Sequence, residues 1–282
     1  MVTGFLAKLV QTGMLSTESG HPSPCAEAFA VMVSRRQTEL LKLLDGRGML
    51  PIVELAEMLG VSTETARRDI RALVDAGSAV RSHGAVGLAG QTGEAPFDRR
   101  MRENAAAKRA IARAVAARIG DGESVMLDTG TTTSFIAREL LQHRRLTVVT
   151  NSSDIARILA TVNGNRVYMA GGELRRDSGA ALGASALDFI MRFSVETAVI
   201  SAGAVDASGV MDFDLQEAEF ARAVLGCGAR RIVATDATKF GRRGFIRVTD
   251  FAQVDVVVTD RAPTADLAQA LVATETAVVV AA

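Results

Sequence analysis

The sequence predicts an α/β protein in two parts: a small helical domain, then a larger domain of alternating strands and helices on a mostly parallel sheet. Three observations lead there. Between residues 34 and 76, leucine, isoleucine and alanine recur at helical spacing. Beyond residue 120, apolar runs of strand length alternate with helical runs, as expected for a sheet covered on both faces. Between the two parts, residues 89–98 carry Gly90, Gly93 and Pro96 with no apolar period, which marks a linker.

In the first part, Leu40, Leu41, Leu43 and Leu44 after Arg35-Arg36 predict a helix. Pro51 suits the first turn of a second helix, with Leu55, Ala56 and Leu59 as its apolar stripe and Gly60 as the left-handed residue that ends it. Ser62 then caps a third helix. There Ala66, Ile70, Leu73 and Val74 fall at i, i+4, i+7 and i+8 and form one buried face, while Thr65, Arg67, Arg68 and Arg71 project elsewhere and Gly77 stops the helix. Residues 79–86 are β-compatible with a glycine at the tip, so they read as a two-stranded wing carrying Arg81 and His83. Two helices about a tight turn, the second opening with small hydroxyls and adjacent arginines, make residues 34–88 a winged helix-turn-helix domain. Such a helix can enter the major groove of duplex DNA.

The DNA-facing candidates are Ser62, Thr63, Thr65, Arg67, Arg68, Arg71, Arg81 and His83. Thr63, Thr65, Arg67 and Arg68 lie near the helix start, where side chains reach base edges or phosphates. Arg71 and Arg81 are assigned to phosphates, which position the domain without reading sequence. The competing reading is a helical hairpin with a solvated basic face.

Composition sets the limits. At 282 residues and 48% hydrophobic, the chain is long enough for two cores. Basic and acidic residues both number 32, so any DNA affinity must be local. Residues 34–83 carry eight basic and seven acidic side chains, a net of +1. One such domain binds weakly, and a symmetric homo-oligomer on a two-part operator supplies the missing contacts. Trp is absent and there is one Tyr, so no aromatic platform favours unpaired bases. Cys25 and Cys227 have no metal or redox spacing, and no apolar run approaches the ~20 residues of a membrane helix. A cytoplasmic protein without metal or cofactor is expected. Residues 1–33 are a poor signal peptide and are expected to be a disordered extension.

The second domain is read as residues 99–282. Its best ligand signal is Asp128-Thr129-Gly130-Thr131-Thr132-Thr133, which follows an apolar strand and opens a helix. There Gly130 lets the backbone approach a ligand while amides and hydroxyls converge on a phosphate at the positive helix end. A Gly-Thr turn also merely caps helices. Thr150-Asn151, Gly171-Gly172 and Lys239 each end or follow a different strand, so all could face one crevice with Lys239 as cation and Asp236 as sugar-hydroxyl acceptor.

Taken together, these residues resemble the DeoR-type bacterial transcriptional regulators. The resemblance runs from Arg36 through Ser62, Thr65, Arg67, Arg68, Asp69 and Ile70. It continues with Phe97, Arg100, Asn104 and Lys108, the Asp128 to Thr132 turn, Thr150-Asn151, Gly171-Gly172, Glu217-Ala218 and Asp236 to Phe240, covering roughly residues 34 to 260. It implies an effector domain similar to ribose-phosphate isomerases that binds phosphorylated sugars or related metabolites, with Glu217 near the effector. Because members of that family begin just before the first helix, Met32 is an alternative start, and residues 1–31 are then either a tail or an over-extended reading frame. The chain departs from the family pattern at Ser201 and Ala204, where glycines are usual, at Glu196, where Asp is common, and at His83-Gly84-Ala85. Two other functions stay open: an isomerase-like enzyme using Asp128, Glu217 or Asp236 as base, or a scaffold with a degenerate pocket. Against the enzyme, Ser201 to Val205 is uncharged where such isomerases carry an acidic cluster.

Overall fold

The computed structural model describes residues 35–47, 50–76, 78–82, 84–88 and 94–281. The expectations for residues 1–34, for Gly77 as a helix stop and for His83 on the wing lie outside the described residues.

The first part holds α1 (Arg35–Arg47), α2 (Ile52–Met58) and α3 (Thr63–Asp75). Its core is Leu40, Leu44, Leu55, Ala66, Ile70 and Leu73, the same leucine and alanine stripes read from their spacing. Gly60 adopts φ +63° between α2 and α3, and Val61 N–H closes the turn on the Ala56 carbonyl at 3.0 Å. Only a residue without a β-carbon takes that conformation cheaply. Ser62 caps α3, its hydroxyl accepting the Thr65 N–H at 3.2 Å. Pro51 sits one residue before α2 rather than within its first turn, because it also ends a short strand, β1 (Leu50–Pro51). That strand pairs with β3 (Ala85–Leu88), which pairs with β2 (Ala79–Ser82), and the three antiparallel strands form the wing. Asp69, buried on α3, accepts from Arg36 Nη2 at 3.1 Å, so an ion pair joins α1 to α3.

The second part is built on seven parallel strands: β4 (Ser124–Leu127), β5 (Thr147–Thr150), β6 (Arg166–Met169), β7 (Val195–Ser201), β10 (Gly228–Ala234), β12 (Val256–Thr259) and β13 (Ala277–Val280). Their order is β13-β12-β10-β7-β4-β5-β6. Successive strand residues point to opposite faces, so Val125 and Leu127 enter one core with Ile111, Ile136 and Leu140. Met126 enters the other with Ile190, Phe220 and Leu271. The helices are α4 (Phe97–Arg102), α5 (Ala105–Ala116), α6 (Thr131–Glu139), α7 (Ser153–Leu159), α8 (Ala184–Ile190), α9 (Leu215–Gly226) and α10 (Ala265–Ala273). Strands β4, β5 and β6 run outward in one direction, and β7 begins the other half. A crevice therefore opens beyond the carboxyl ends of β4 and β7, the position where such sheets collect ligands.

Three features were not read from the chain. A second sheet of β8 (Ala204–Asp206), β9 (Gly209–Asp212) and β11 (Ile246–Thr249) is antiparallel, and Asp206, Gly209, Asp212 and Arg247 interrupt the apolar runs that would declare its strands. The edge strand β13 was absent from the reading. Of the stretch 89–98, residues 89–93 lie outside the described residues; beyond them Glu94 enters the cleft described next, and Phe97 is buried and opens α4.

Candidate functional site

The DNA-facing residues fall into two groups. Arg67, Arg68 and Arg71 are exposed on α3 and Arg81 is exposed on β2, while Thr63 is half-buried at the start of α3. The Arg67 guanidinium has Glu64 at 3.7 Å, and both side chains are more than half exposed, so this pair contributes little and leaves the arginine available. Ser62 and Thr65 are occupied locally: their hydroxyls lie 2.8 Å apart as part of the helix cap. They hold the start of α3 in shape, and only Thr63 among the small hydroxyls has no such structural duty described.

The cleft beyond β4 and β7 is a small, open-mouthed cavity of about 90 Å3 at the position where such sheets collect ligands. Of the effector residues read from the chain, Asp128, Thr131, Thr132, Asn151, Glu217, Asp236 and Lys239 line it. Gly130, Thr133, Thr150, Gly171 and Gly172 do not, and each has a physical reason. A β-carbon on Gly130 would lie 2.0 Å from the Ser201 hydroxyl, so this glycine makes room for the protein's own side chain rather than for a ligand. The Thr133 hydroxyl is buried 3.0 Å from both the Asp128 and Gly130 carbonyls, and Thr150 Oγ1 accepts the Ser152 N–H at 3.1 Å. Gly171 and Gly172 are exposed after β6, the edge strand, one strand beyond Asn151 in the sheet order.

Residues that the sequence reading left out of the site complete the walls: Glu94, Arg100, Asn104, Lys108, Ser201, Asp212, Thr238 and Arg242. Arg100, Asn104, Lys108 and Thr238 had a signal in their family spacing and Ser201 in its departure from the family pattern; Glu94 and Asp212 had none. Asn104 is a left-handed residue, φ 54°, at the α4–α5 junction, and its amide donates to Asp236 Oδ1 and Thr238 Oγ1, each at 3.3 Å. Asp236 Oδ1 also accepts the Thr238 N–H at 3.1 Å and the Thr238 hydroxyl, so this oxygen already serves the protein's own donors. Lys108 is buried with Nζ donating to the Glu103 carbonyl at 3.0 Å and to the Arg100 carbonyl. Burial lowers its ammonium below the ordinary range against the pull of Asp236. Lys239, expected as an open cation, donates to Glu94 Oε1 at 2.5 Å.

The carboxyls are the unusual feature. Asp128 accepts the Ser201 N–H at 3.0 Å on Oδ2, while its buried Oδ1 has no hydrogen-bond partner. Burial pushes this carboxyl up to about 7, against the bonds from Ser201 and with help from the nearby Asp212 charge. Asp212 rises to about 6, through burial and then the Glu94 charge, although Phe213 and Asp214 donate backbone N–H groups to it. Glu217 rises to about 8 through burial and then Asp212, even with Arg175 Nη1 at 3.0 Å. Near neutrality, then, Glu217 is the carboxyl that keeps its proton, Asp128 shares the two states and Asp212 is mainly an acceptor, a mixture that suits a ligand rich in hydroxyls. Among the described residues no cluster of His, Cys, Asp and Glu could hold a metal ion.

The raised carboxyls make stability depend on pH in a definite direction. A carboxyl that holds its proton more tightly when folded stabilises the fold fully below its free value near pH 4 and loses that contribution as pH rises through its folded value. Glu217→Gln cannot ionise. Its stability relative to wild type is therefore expected to improve by about 1–3 kcal/mol between roughly pH 5 and pH 8.5, measured by denaturant unfolding at each pH. Parallel pH curves for the two proteins would contradict the raised Glu217.

Comparison with known proteins agrees with these two parts. Residues 36–92 match the family described as DeoR-like helix-turn-helix domain, and residues 103–261 match the DeoR C terminal sensor domain. The HTH-type transcriptional repressor CsqR of Escherichia coli (strain K12) is 36% identical over 233 residues, 82% of this chain and 89% of that one. The glycerol-3-phosphate regulon repressor of the same organism is 31% identical over 239 residues, 84% and 95% of the two chains. The transcriptional repressor AccR of Agrobacterium fabrum is 34% identical over 228 residues, 80% and 88%. A ribose 5-phosphate isomerase A from Neisseria gonorrhoeae is a distant structural likeness, 15% identical with a TM-score of 0.36 over 48% of this chain and 53% of that one. A helical DNA-reading unit joined to a ligand cleft defines a ligand-responsive transcriptional regulator. The chain belongs to the DeoR family of transcriptional regulators. Among the described residues no helix is long and apolar enough to cross a membrane.

Proposed function

We propose that this chain is a repressor of carbohydrate-use genes that holds its operator as a homo-oligomer and leaves it when a phosphorylated sugar or related metabolite occupies the cleft. The observation that carries the reading is the composition of that cleft, where Arg100, Lys108, Lys239 and Arg242 share the walls with Asp128, Asp212 and Glu217, carboxyls that burial makes slower to ionise. Cations suit a phosphate, and mixed donors and acceptors suit sugar hydroxyls. Thr131 and Thr132 add the positive end of α6. On the DNA side, Thr63, Arg67 and Arg68 reach bases, and Arg71 and Arg81 hold phosphates. The division of labour follows the two matched segments, with residues 34–88 binding duplex DNA and residues 99–282 sensing.

The regulator is preferred to an isomerase. The relatives are named repressors, and Ser201 to Val205 brings no carboxylate to the cleft. The test is operator binding by fluorescence anisotropy, on duplexes selected from a random pool, titrated with glycerol 3-phosphate, ribose 5-phosphate and hexose phosphates. One of these is expected to weaken binding ~5–150-fold, the usual range of allosteric coupling, while its unphosphorylated parent does not. Turnover of any of the esters, or indifference to all of them, would overturn the proposal.

A further inference from the structure

The cationic corner of the cleft already holds an anion, and the protein supplies it. Glu94 forms ion pairs with Arg100 and with Lys239 Nζ, the latter at 2.5 Å, and all three side chains are about 15% exposed. Burial opposes a charge on Glu94, but Arg100 and Lys239 outweigh it, Arg242 adds to them, and the carboxyl is held below its ordinary value. This is a carboxylate fully charged inside a ligand cleft, paired with two of the groups a phosphate needs.

Its place in the chain matters as much as its charge. Residue 94 follows the segment that matches the helix-turn-helix family, which ends at 92, and precedes the sensor match, which begins at 103. It lies in the connector. Arg100, on α4 of the same stretch, steadies it locally: it pairs with the Glu94 carboxylate, donates through Nε to the Ala95 carbonyl at 2.9 Å and lies over the Phe97 ring with the centroid 5.5 Å from the guanidinium carbon. Lys239 joins Glu94 to the far side of the sensor domain, so one carboxylate ties the connector to two candidate phosphate ligands.

We infer that Glu94 is a built-in stand-in for the effector's anion: a phosphate entering the cleft displaces its carboxylate from Arg100 and Lys239, and so unfastens the connector that leads to the DNA-binding domain. The inference rests on the cleft being the effector site, and it adds how occupancy is transmitted. A phosphate carries more charge than one carboxylate and presents more acceptor oxygens, so it can win the exchange. The exchange needs no new cation and no motion of the sheet. It also couples binding to connector release, because the carboxylate and the phosphate compete for the same donors on Arg100 and Lys239.

The test uses the full chain and inorganic phosphate as probe. Glu94→Gln keeps the shape and removes the competing charge, so calorimetric titration is expected to show phosphate binding at least tenfold tighter than to wild type. In the unsubstituted protein, hydrogen exchange at the amides of Arg99 and Arg100, both bonded to the Pro96 carbonyl at 3.0 Å, is expected to quicken when phosphate is added. Equal affinity of the two proteins, or slowed exchange in the connector, would overturn the inference while leaving the cleft as an anion site. Absence of phosphate binding to both proteins, or binding unaffected by Lys239→Ala, would overturn the cleft reading and this inference with it.

Discussion

Replacing Arg67 and Arg68 together by alanine is expected to lower operator affinity by at least ~1,000-fold, with the fold unchanged. A bidentate arginine to guanine provides ~1–3 kcal/mol of discrimination, and in a two-fold oligomer each substitution counts twice. The two changes together approach the whole ~4–10 kcal/mol that separates specific from non-specific binding. Both side chains are exposed on α3, and Arg67 gives up only its loose contact with Glu64. Thermal unfolding should therefore move by no more than surface substitutions usually cause. Anisotropy on a selected operator at fixed salt measures the loss, and phosphate titration of the same variant should match wild type. Operator affinity within a few-fold of wild type would show that α3 does not read the groove.

The second large effect is on stability. Arg100→Ala is expected to destabilise the sensor domain by about 3 kcal/mol, because it leaves a buried Glu94 carboxylate with Lys239 as its remaining close partner and also removes the Ala95 bond and the Phe97 contact. The lower end of the ~3–5 kcal/mol cost of breaking a buried pair applies, since Lys239 still offsets part of the charge. The sign of the coupling separates this from simple loss of packing. Adding Glu94→Gln to Arg100→Ala should recover part of the loss, and a double-mutant cycle from denaturant unfolding reads the interaction directly. Strictly additive effects would mean that Glu94 and Arg100 do not act as a pair.

The two parts of the molecule differ in how much of them can be read from the chain. In the helix-turn-helix, Leu40, Leu44, Leu55, Ala66 and Ile70 declare their helices because each buried stripe repeats within a few residues, and Gly60 and Ser62 punctuate them by purely local chemistry. The recognition helix needs no distant residue to be identified, although Asp69 joins it to Arg36 across the domain. The cleft is otherwise. Asp128, Thr131 and Thr132 announce themselves as a polar turn between a strand and a helix. Gly171 and Gly172 also follow a strand, yet they end the edge strand and face solvent. The Asp128 turn is rich in hydroxyls and opens α6 while Gly171-Gly172 leads into a loop, but neither local signal says which turn reaches the crevice. Strand order does, and strand order is a property of the whole sheet.

The same reasoning covers the residues found only in three dimensions. Ser201, Asp212 and Glu94 sit on a strand end, a short hairpin and a connector, and their neighbours in sequence give no reason to expect a shared cavity. Ser201 stands against Gly130, so the departure from the family pattern at this position fills space in the floor of the cleft. By itself, then, the chain determined the class of protein, the helix-turn-helix and the polar turn at the mouth of the cleft, because those features rest on interactions between residues close in sequence. Only the tertiary structure decided which polar groups share the cleft, which carboxyls keep their protons and which cation is already occupied. Burial and pairing between residues a hundred or more positions apart, such as Glu94 with Lys239, set those properties, and no local pattern encodes them.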